Sequence, residues 1–298
     1  MVGNTIWDDI KYKFSYGDMV TKLIFVNVGI FVLMQLFFLS CWIAQSSSIY
    51  AMIENKLELP ASLHTLATQP WTLVTYMFMH ADVFHILFNM LFLYWFGSIF
   101  VLYLGDNKIL PLYLLGGITG GGLYIALYNL LPVLAPSVDS AFLLGASASI
   151  MAIVFGAATL NPDHEIRLIF LGNVKIKYIA LGYFIIDLIS IPYGNTGGYI
   201  AHIGGAICGM LFVKGLRSGI DASKPMARFA DVVTGQFKPK AKMEVTHRNI
   251  TTSGAPFLQK SSKENEEDRL NDILEKISRS GFDSLSKEEK DFLNRMSQ

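Results

Sequence analysis

HADVFHILFNMLFLYWFGSIFVLYL, residues 80–104, is uncharged from Val83 onward and almost wholly apolar. Some twenty such residues, rising about 1.5 Å each as a helix, cross the ~30 Å hydrocarbon core of a bilayer. The segment reads as a membrane span, yet it carries His85 and Asn89 near its start. Four residues apart, they project from one helix face. Polar and ionisable groups inside a span are costly and usually functional. The reading of the rest of the chain therefore turns on what this pair faces.

The chain has 298 residues, 52% hydrophobic and 16% charged, with a mean hydropathy of +0.41. Soluble domains carry about 25% charged residues. Fourteen of the 24 Lys and Arg lie beyond Ser218, so an apolar body precedes a polar tail. Net charge is zero, which gives no case for nucleic acid. Cys41 and Cys208 lie in apolar runs and read as packing residues, not as a disulfide or a metal site. The first 21 residues hold Asp8, Asp9 and Asp18 and no apolar run, unlike a secretory signal.

Six spans are expected, at 22–44, 82–104, 109–131, 146–160, 176–193 and 198–216. The fold class is thus an all-α six-helix membrane bundle. The fourth span is short for a full crossing, so it begins below the surface or is enclosed by the others. Lys and Arg alternate between sides. Residues 1–22 carry three Lys, 105–108 Lys108 and 161–177 Arg167, Lys175 and Lys177, and the tail is basic near the membrane; 45–81, 132–145 and 194–197 contain only Lys56. The positive-inside rule then places both termini in the cytosol, with the lipid bilayer between.

Ala201, Gly205 and Gly209 form a small-residue strip on the sixth span. Gly145 to Ala148 and Gly156 offer small residues on the fourth, so these two helices are expected to pack closely. The glycines at 116, 117, 120, 121 and 122 also read as close-packing positions; no strand precedes them and no Lys follows, as a phosphate loop would need.

With this orientation, spans two, four and six run inward. His85, Asn89, Ser147 and His202 then share one depth, roughly 5–10 Å below the outer ends. A serine with a base, beside two hydrogen-bond donors, is the minimum set for acyl transfer. Ser147 is the candidate nucleophile and His202 its base. Asn89 and His85 are candidate oxyanion donors. Asp139 and Asp187 are left outside the site, so a Ser-His dyad is the simpler scheme. It uses no metal and no cofactor. Ser149 competes in the same run, but two helix positions differ by about 200°, so only one serine faces His202.

Three motifs carry a resemblance: His80-x4-His85-x3-Asn89, Gly145-Ala146-Ser147-Ala148, and Ala201-His202-x2-Gly205-x3-Gly209. Taken in order on spans two, four and six, they resemble the rhomboid family of intramembrane serine proteases, across residues 20–217. The resemblance implies Ser147 as nucleophile, His202 as base, and Asn89, His85 and backbone N–H near Ser147 at the oxyanion. It implies transmembrane protein substrates, entering laterally between spans two and five and locally unwound. It also implies a multi-pass protein of a bacterial inner membrane. Three positions depart from the pattern. Ala148 replaces a glycine. Met151 stands where relatives have a Tyr against the His. Trp71-Thr72 stands where they have Trp-Arg. A non-catalytic scaffold that binds transmembrane clients is the alternative. A proton-coupled transporter is disfavoured, since no acidic relay continues toward the cytosolic half.

The expected divisions are a cytosolic segment 1–21, the six-span domain 22–217, a linker 218–263 and a helical hairpin 264–298. The linker has Pro225, Pro239 and Pro256, and a membrane-surface role is assigned to Arg228, Phe229 and Lys238 to Lys242. In the hairpin, Leu270, Ile273, Leu274 and Ile277 have helical spacing, and Gly281 is a stop. Ser286-x-x-Glu289 is a capping box before Phe292, Leu293 and Met296. Too short for a core that would stand alone, the hairpin is read as binding an unknown protein, another copy or the membrane.

Overall fold

The structure, a computed structural model, describes residues 5–168, 172–225 and 262–296. It divides into two compact units, 1–239 and 240–298, and each is taken by itself. In the first, α1 (Ile6–Tyr16) leads into α2 (Met19–Ile43). The next connection holds α3 (Ser47–Glu54), β1 (Leu59–Pro60), α4 (Leu63–Thr68) and α5 (Thr72–Thr75). Then come α6 (Val83–Leu104), α7 (Ile109–Leu130), β2 (Phe142–Leu143) and α8 (Ser147–Leu160). The hairpin β3 (Glu165–Leu168) and β4 (Gly172–Lys175) precedes α9 (Ile176–Ser190) and α10 (Thr196–Arg217).

Helices α2, α6, α7, α8, α9 and α10 fall where the six spans are expected, each end within three residues. By length and composition α2, α6, α7 (with the 3-10 turn before it) and α10 suffice to cross a membrane. The caps are legible locally. Asp18 accepts the Thr21 N–H at 2.8 Å, Asp82 that of His85 at 2.9 Å, and Asn195 that of Gly198 at 3.1 Å. Helix α1 was not expected from the sequence; a Thr5–Asp8 capping box starts it. The two short strand pairs were not expected either. Their strands have two and four residues, too short to leave a periodic signal.

Helix α8 is the centre of the unit. Residues 148–157 are all buried, as befits a short helix that is apolar all round. Its closest neighbour is α10. A Cβ at Gly205 would overlap the carbonyl oxygen of Ala148, and one at Gly209 that of Ala152. The expected packing of spans four and six is therefore a backbone-to-backbone approach, which only glycine permits here. On the other flank a Cβ at Gly120 would lie 2.7 Å from the Ala148 methyl.

The connection after α5 dips into the bundle. The Tyr76 hydroxyl donates to the Gly117 carbonyl at 2.7 Å, and the Tyr113 hydroxyl to the Met77 carbonyl at 2.8 Å. Gly117 and Tyr113 lie in the first half of α7, far from its site-side end at Leu130. Irregular backbone at such depth survives where protein, not lipid, surrounds it. The Gly145 N–H donates to the Tyr76 carbonyl at 2.9 Å, and β1 pairs with β2, so this buried connection also sets where α8 begins. Trp71, exposed at the rim, is held by its indole N–H on the Lys56 carbonyl at 2.8 Å.

At the opposite, Lys-rich end, Arg217 donates to the carbonyls of Thr159 and Leu160, which end α8. Lys108 pairs with Asp221 at 2.6 Å and donates to Ser223 at 2.7 Å. The second unit contains α11 (Ser262–Ser280) and α12 (Lys287–Met296). Gly281, at φ +78°, ends the first helix, and Ser286 and Glu289 form the box that starts the second. Ile273, Leu285 and Phe292 are its core, while Leu274 and Met296 are exposed. Residues 226–261, with Arg228, Phe229 and the Lys238 to Lys242 segment, lie outside the described residues.

The α8–α10 contact yields a stability test. Gly205→Val is expected to cost about 1–3 kcal/mol or more, as overpacking does, and to lower the thermal midpoint in detergent. Gly122, on α7, has open space where a Cβ would stand, so Gly122→Ala is expected to leave the midpoint unchanged or raise it. Equal midpoints for Gly205→Val and wild type would refute the packing.

Glu58 gives a pH test. It is buried beside Glu54, and burial first and the Glu54 charge second push its carboxyl from 4.5 up to about 7. The folded state thus holds a proton that the unfolded chain has released, so stability falls as pH rises from 4.5 through about 7. Melting at stepped pH should show this fall in wild type and a flatter profile in Glu58→Gln.

Candidate active site

The residues that sequence reading brings together come from α6, α8 and α10, with a contribution from α9. Ser147 is the first residue of α8, placed there by Gly145 at φ +124°. A left-handed φ suits glycine, and the surroundings demand it as well. A Cβ there would lie 2.9 Å from His85 Nε2 and 3.6 Å from Ser147 Oγ. The imidazole edge and the hydroxyl therefore flank a single point.

His85 Nδ1 accepts a long, 3.4 Å hydrogen bond from the Ala81 N–H. A neutral ring with Nδ1 accepting carries its proton on Nε2, so the nitrogen near Gly145 is a donor. Asn89 stands one turn further along α6. It is buried, and its Nδ2 has no hydrogen-bond partner among the described residues. His80 is buried and packs edge-on to His85, ring centroids 5.1 Å apart, while Asp82, exposed, caps α6.

A cavity of about 350 Å³ is lined by Phe88, Asn89 and Phe92 of α6, Ser147, Ile150 and Met151 of α8, and Tyr183 of α9. It therefore lies between the second and fifth helices of the bundle, with α8 behind it. Phe92 and Tyr183 meet across it in a T-shaped pair at 5.6 Å. The walls are apolar, and Asn89 and Ser147 are the two polar residues in them.

His202 is buried on the second turn of α10. Two aromatic rings bound it: Tyr183 at 6.0 Å, tilted, and Tyr199 at 6.2 Å, edge-on. Met151, at the position where a Tyr was expected by resemblance, lines the cavity instead. The aromatic support for the imidazole thus comes from α9 and from its own helix. Ala148 does not narrow the cavity. Its methyl faces Gly120 on α7, and its carbonyl sits against Gly205.

Asp187 is the residue that the sequence reading left out. Its Oδ2 lies 3.0 Å from His202 Nδ1, and it is 2% exposed. A signal was available: it is the single acidic residue of α9, within a helix of otherwise apolar character. Burying such a group in a span costs about 2.5–3.5 kcal/mol at the centre, so a partner was to be expected. Asp139, the other acid set aside, lies in the 132–145 connection, between α7 and α8.

Ser149 points elsewhere. It is fully buried, and its Oγ would lie 2.7 Å from a Cβ on Gly117 of α7, on the side of α8 away from the cavity. The hydroxyl has no hydrogen-bond partner among the described residues. A buried orphan hydroxyl destabilises, so Ser149→Ala is expected to melt at the same temperature as wild type or higher. A clear loss in thermal melting would show that the hydroxyl is bonded.

Sequence comparison bears on the whole constellation. The profile of the Rhomboid domain matches residues 67–218, and that of a family of unknown function, DUF6576, matches 260–298. RHOMBOID-like protein 12, mitochondrial, of Arabidopsis thaliana is 29% identical over 224 residues, covering 72% of this chain and 62% of the relative. Presenilin-associated rhomboid-like protein A, mitochondrial, of Danio rerio is 27% identical over 215 residues, covering 69% and 50%. The chain thus spans less than two thirds of the length of each. Both relatives are named mitochondrial and lend no support to a bacterial inner membrane. The apolar spans and the matched domain make the chain an integral membrane protein with an all-α bundle.

Proposed function

As the chain belongs to the rhomboid family, we propose that it is an intramembrane serine endopeptidase acting on transmembrane segments of other membrane proteins. The observation that carries this reading is the shared cavity. Ser147 and an unpartnered Asn89 amide are the polar residues in an otherwise apolar pocket, with His85 Nε2 beside the serine.

In this scheme Ser147 Oγ attacks the scissile carbonyl and His202 takes its proton, later giving it to the leaving amine. Asn89 Nδ2 and His85 Nε2–H donate to the oxygen on which charge develops. The apolar walls suit an unwound stretch of a membrane helix, since a helical peptide hides its carbonyls in its own hydrogen bonds. The opening between α6 and α9, now spanned by Phe92 and Tyr183, is the entry route. The end of the bundle bearing Lys108, Lys175, Lys177, Lys214 and Arg217 faces the cytosol, with both termini, and the cut falls near the opposite end of the substrate.

Cleavage of a transmembrane reporter by the reconstituted protein tests the proposal. Ser147→Ala should abolish it and Ser149→Ala should preserve it. Asn89→Ala should lower kcat by about 10²–10³, the usual effect of losing one oxyanion donor. A fluorophosphonate should label Ser147 in wild type and fail to do so in His202→Ala. Wild-type cleavage by Ser147→Ala would refute the reading and favour a client-binding scaffold.

A further inference from the structure

Resting on the protease reading above, we infer that Asp187 is a positioning residue of the site, fixing which nitrogen of His202 faces Ser147. His202 Nδ1 and Asp187 Oδ2 are 3.0 Å apart, and the two side chains are 10% and 3% exposed. This is the single hydrogen bond of the Asp187 side chain among the described residues.

Helix α9 buries three residues: Ile176, Ala180 and Asp187. They lie four and seven positions apart, so they share the face turned to the bundle. Two are apolar and one is a carboxyl group. A buried polar pair is rarely retained for stability, because apolar packing of similar volume commonly does as well or better. The pairing instead has a chemical consequence. A neutral imidazole carries one proton, on either nitrogen. A carboxylate at Nδ1 holds the proton there and leaves the Nε2 lone pair free. Tyr183 and Tyr199 bound the ring, but ring contacts do not distinguish one nitrogen from the other.

The step then balances without any proton reaching Asp187. The Ser147 Oγ–H proton moves to Nε2 as Oγ bonds to the carbonyl carbon, and Nδ1–H stays hydrogen-bonded to the carboxylate. The Nε2 proton passes to the amine as the C–N bond breaks. A carboxylate so placed also stabilises the transient imidazolium. Asp187 touches neither the substrate nor the reacting atoms and acts only through His202.

The test uses the full chain in lipid nanodiscs, with ¹⁵N-labelled histidine and the His202 signal assigned by its loss in His202→Ala. Wild type should show the proton on Nδ1 of His202. Asp187→Asn should lose that tautomer and drop kcat by about 10²- to 10⁴-fold with KM within about threefold, as when the acid of a Ser-His-Asp site is neutralised. A mere tie between α9 and α10 would leave the tautomer unmoved. The inference is overturned if wild type carries its proton on Nε2, a result that needs no variant to fold. It is also overturned if Asp187→Asn keeps both the tautomer and kcat within about threefold of wild type. Wild-type cleavage by Ser147→Ala would instead overturn the protease reading, and the role with it, whatever the spectrum shows.

Discussion

Gly205 and Gly209 lay the backbone of α10 against the carbonyls of Ala148 and Ala152, closer than any side chain allows. In a bilayer the apolar effect gives helices little reason to prefer each other over lipid, so shape and close contact must do so. This contact fixes the position of α8 along α10. Ser147 and Ala148 open α8, and His202 lies one turn before Gly205 on α10, so the register of the two helices sets the relation of serine to imidazole. On the other flank of α8, Gly116, Gly117 and Gly120 of α7 leave room for Ala152, Met77 and Ala148. The glycines are thus not loose joints. They are the surfaces that let a short helix be enclosed on several sides.

Enclosure solves one problem and raises another. A 14-residue helix cannot cross a bilayer, and its first turn would expose unpaired N–H groups to lipid. The buried connection at Tyr76 to Phe78 answers this by reaching down to meet it. Tyr76 bonds Gly117 and Gly145, and Tyr113 bonds Met77, so irregular backbone is satisfied at depth. The polar residues near Ser147 differ in kind from these. Asn89 Nδ2 has no such partner among the described residues, while His202 is paired to Asp187 across two helices. Tyr76 and Tyr113 are thus bonded to backbone at depth, whereas His202 beside the cavity is bonded to another side chain.

Much of this was legible in the sequence because membrane helices announce themselves by length and apolarity. The six spans needed no tertiary information, and the Ala201, Gly205 and Gly209 strip pointed to the helix pair. His85 and Asn89 could be placed on one face by spacing alone. What spacing could not give is contact between helices far apart in sequence. The strands at 59–60 and 142–143 exist only because the two connections meet. Asp187 was visible as a lone acid, but His202 lies 15 residues away on another helix, and the tilt of α9 decides whether they meet. Likewise the direction of the Ala148 methyl follows from the space at Gly120, not from the motif around it.

The departures at Ala148 and Met151 acquire one physical account. A methyl at position 148 is accommodated by the absence of one at Gly120, so the exchange is absorbed between α7 and α8 without touching the cavity. Met151 gives the cavity a flexible, polarizable wall where a ring would be rigid. The rigidity a Tyr there would bring to the imidazole is met from another direction, by Tyr183 and Tyr199 at its sides and Asp187 at Nδ1. Tyr183 and Asp187 are four residues apart on α9, hence on one face. The helix that walls the cavity is therefore also the helix that holds the imidazole. Any displacement of α9 that widened the cavity would loosen His202 in the same motion.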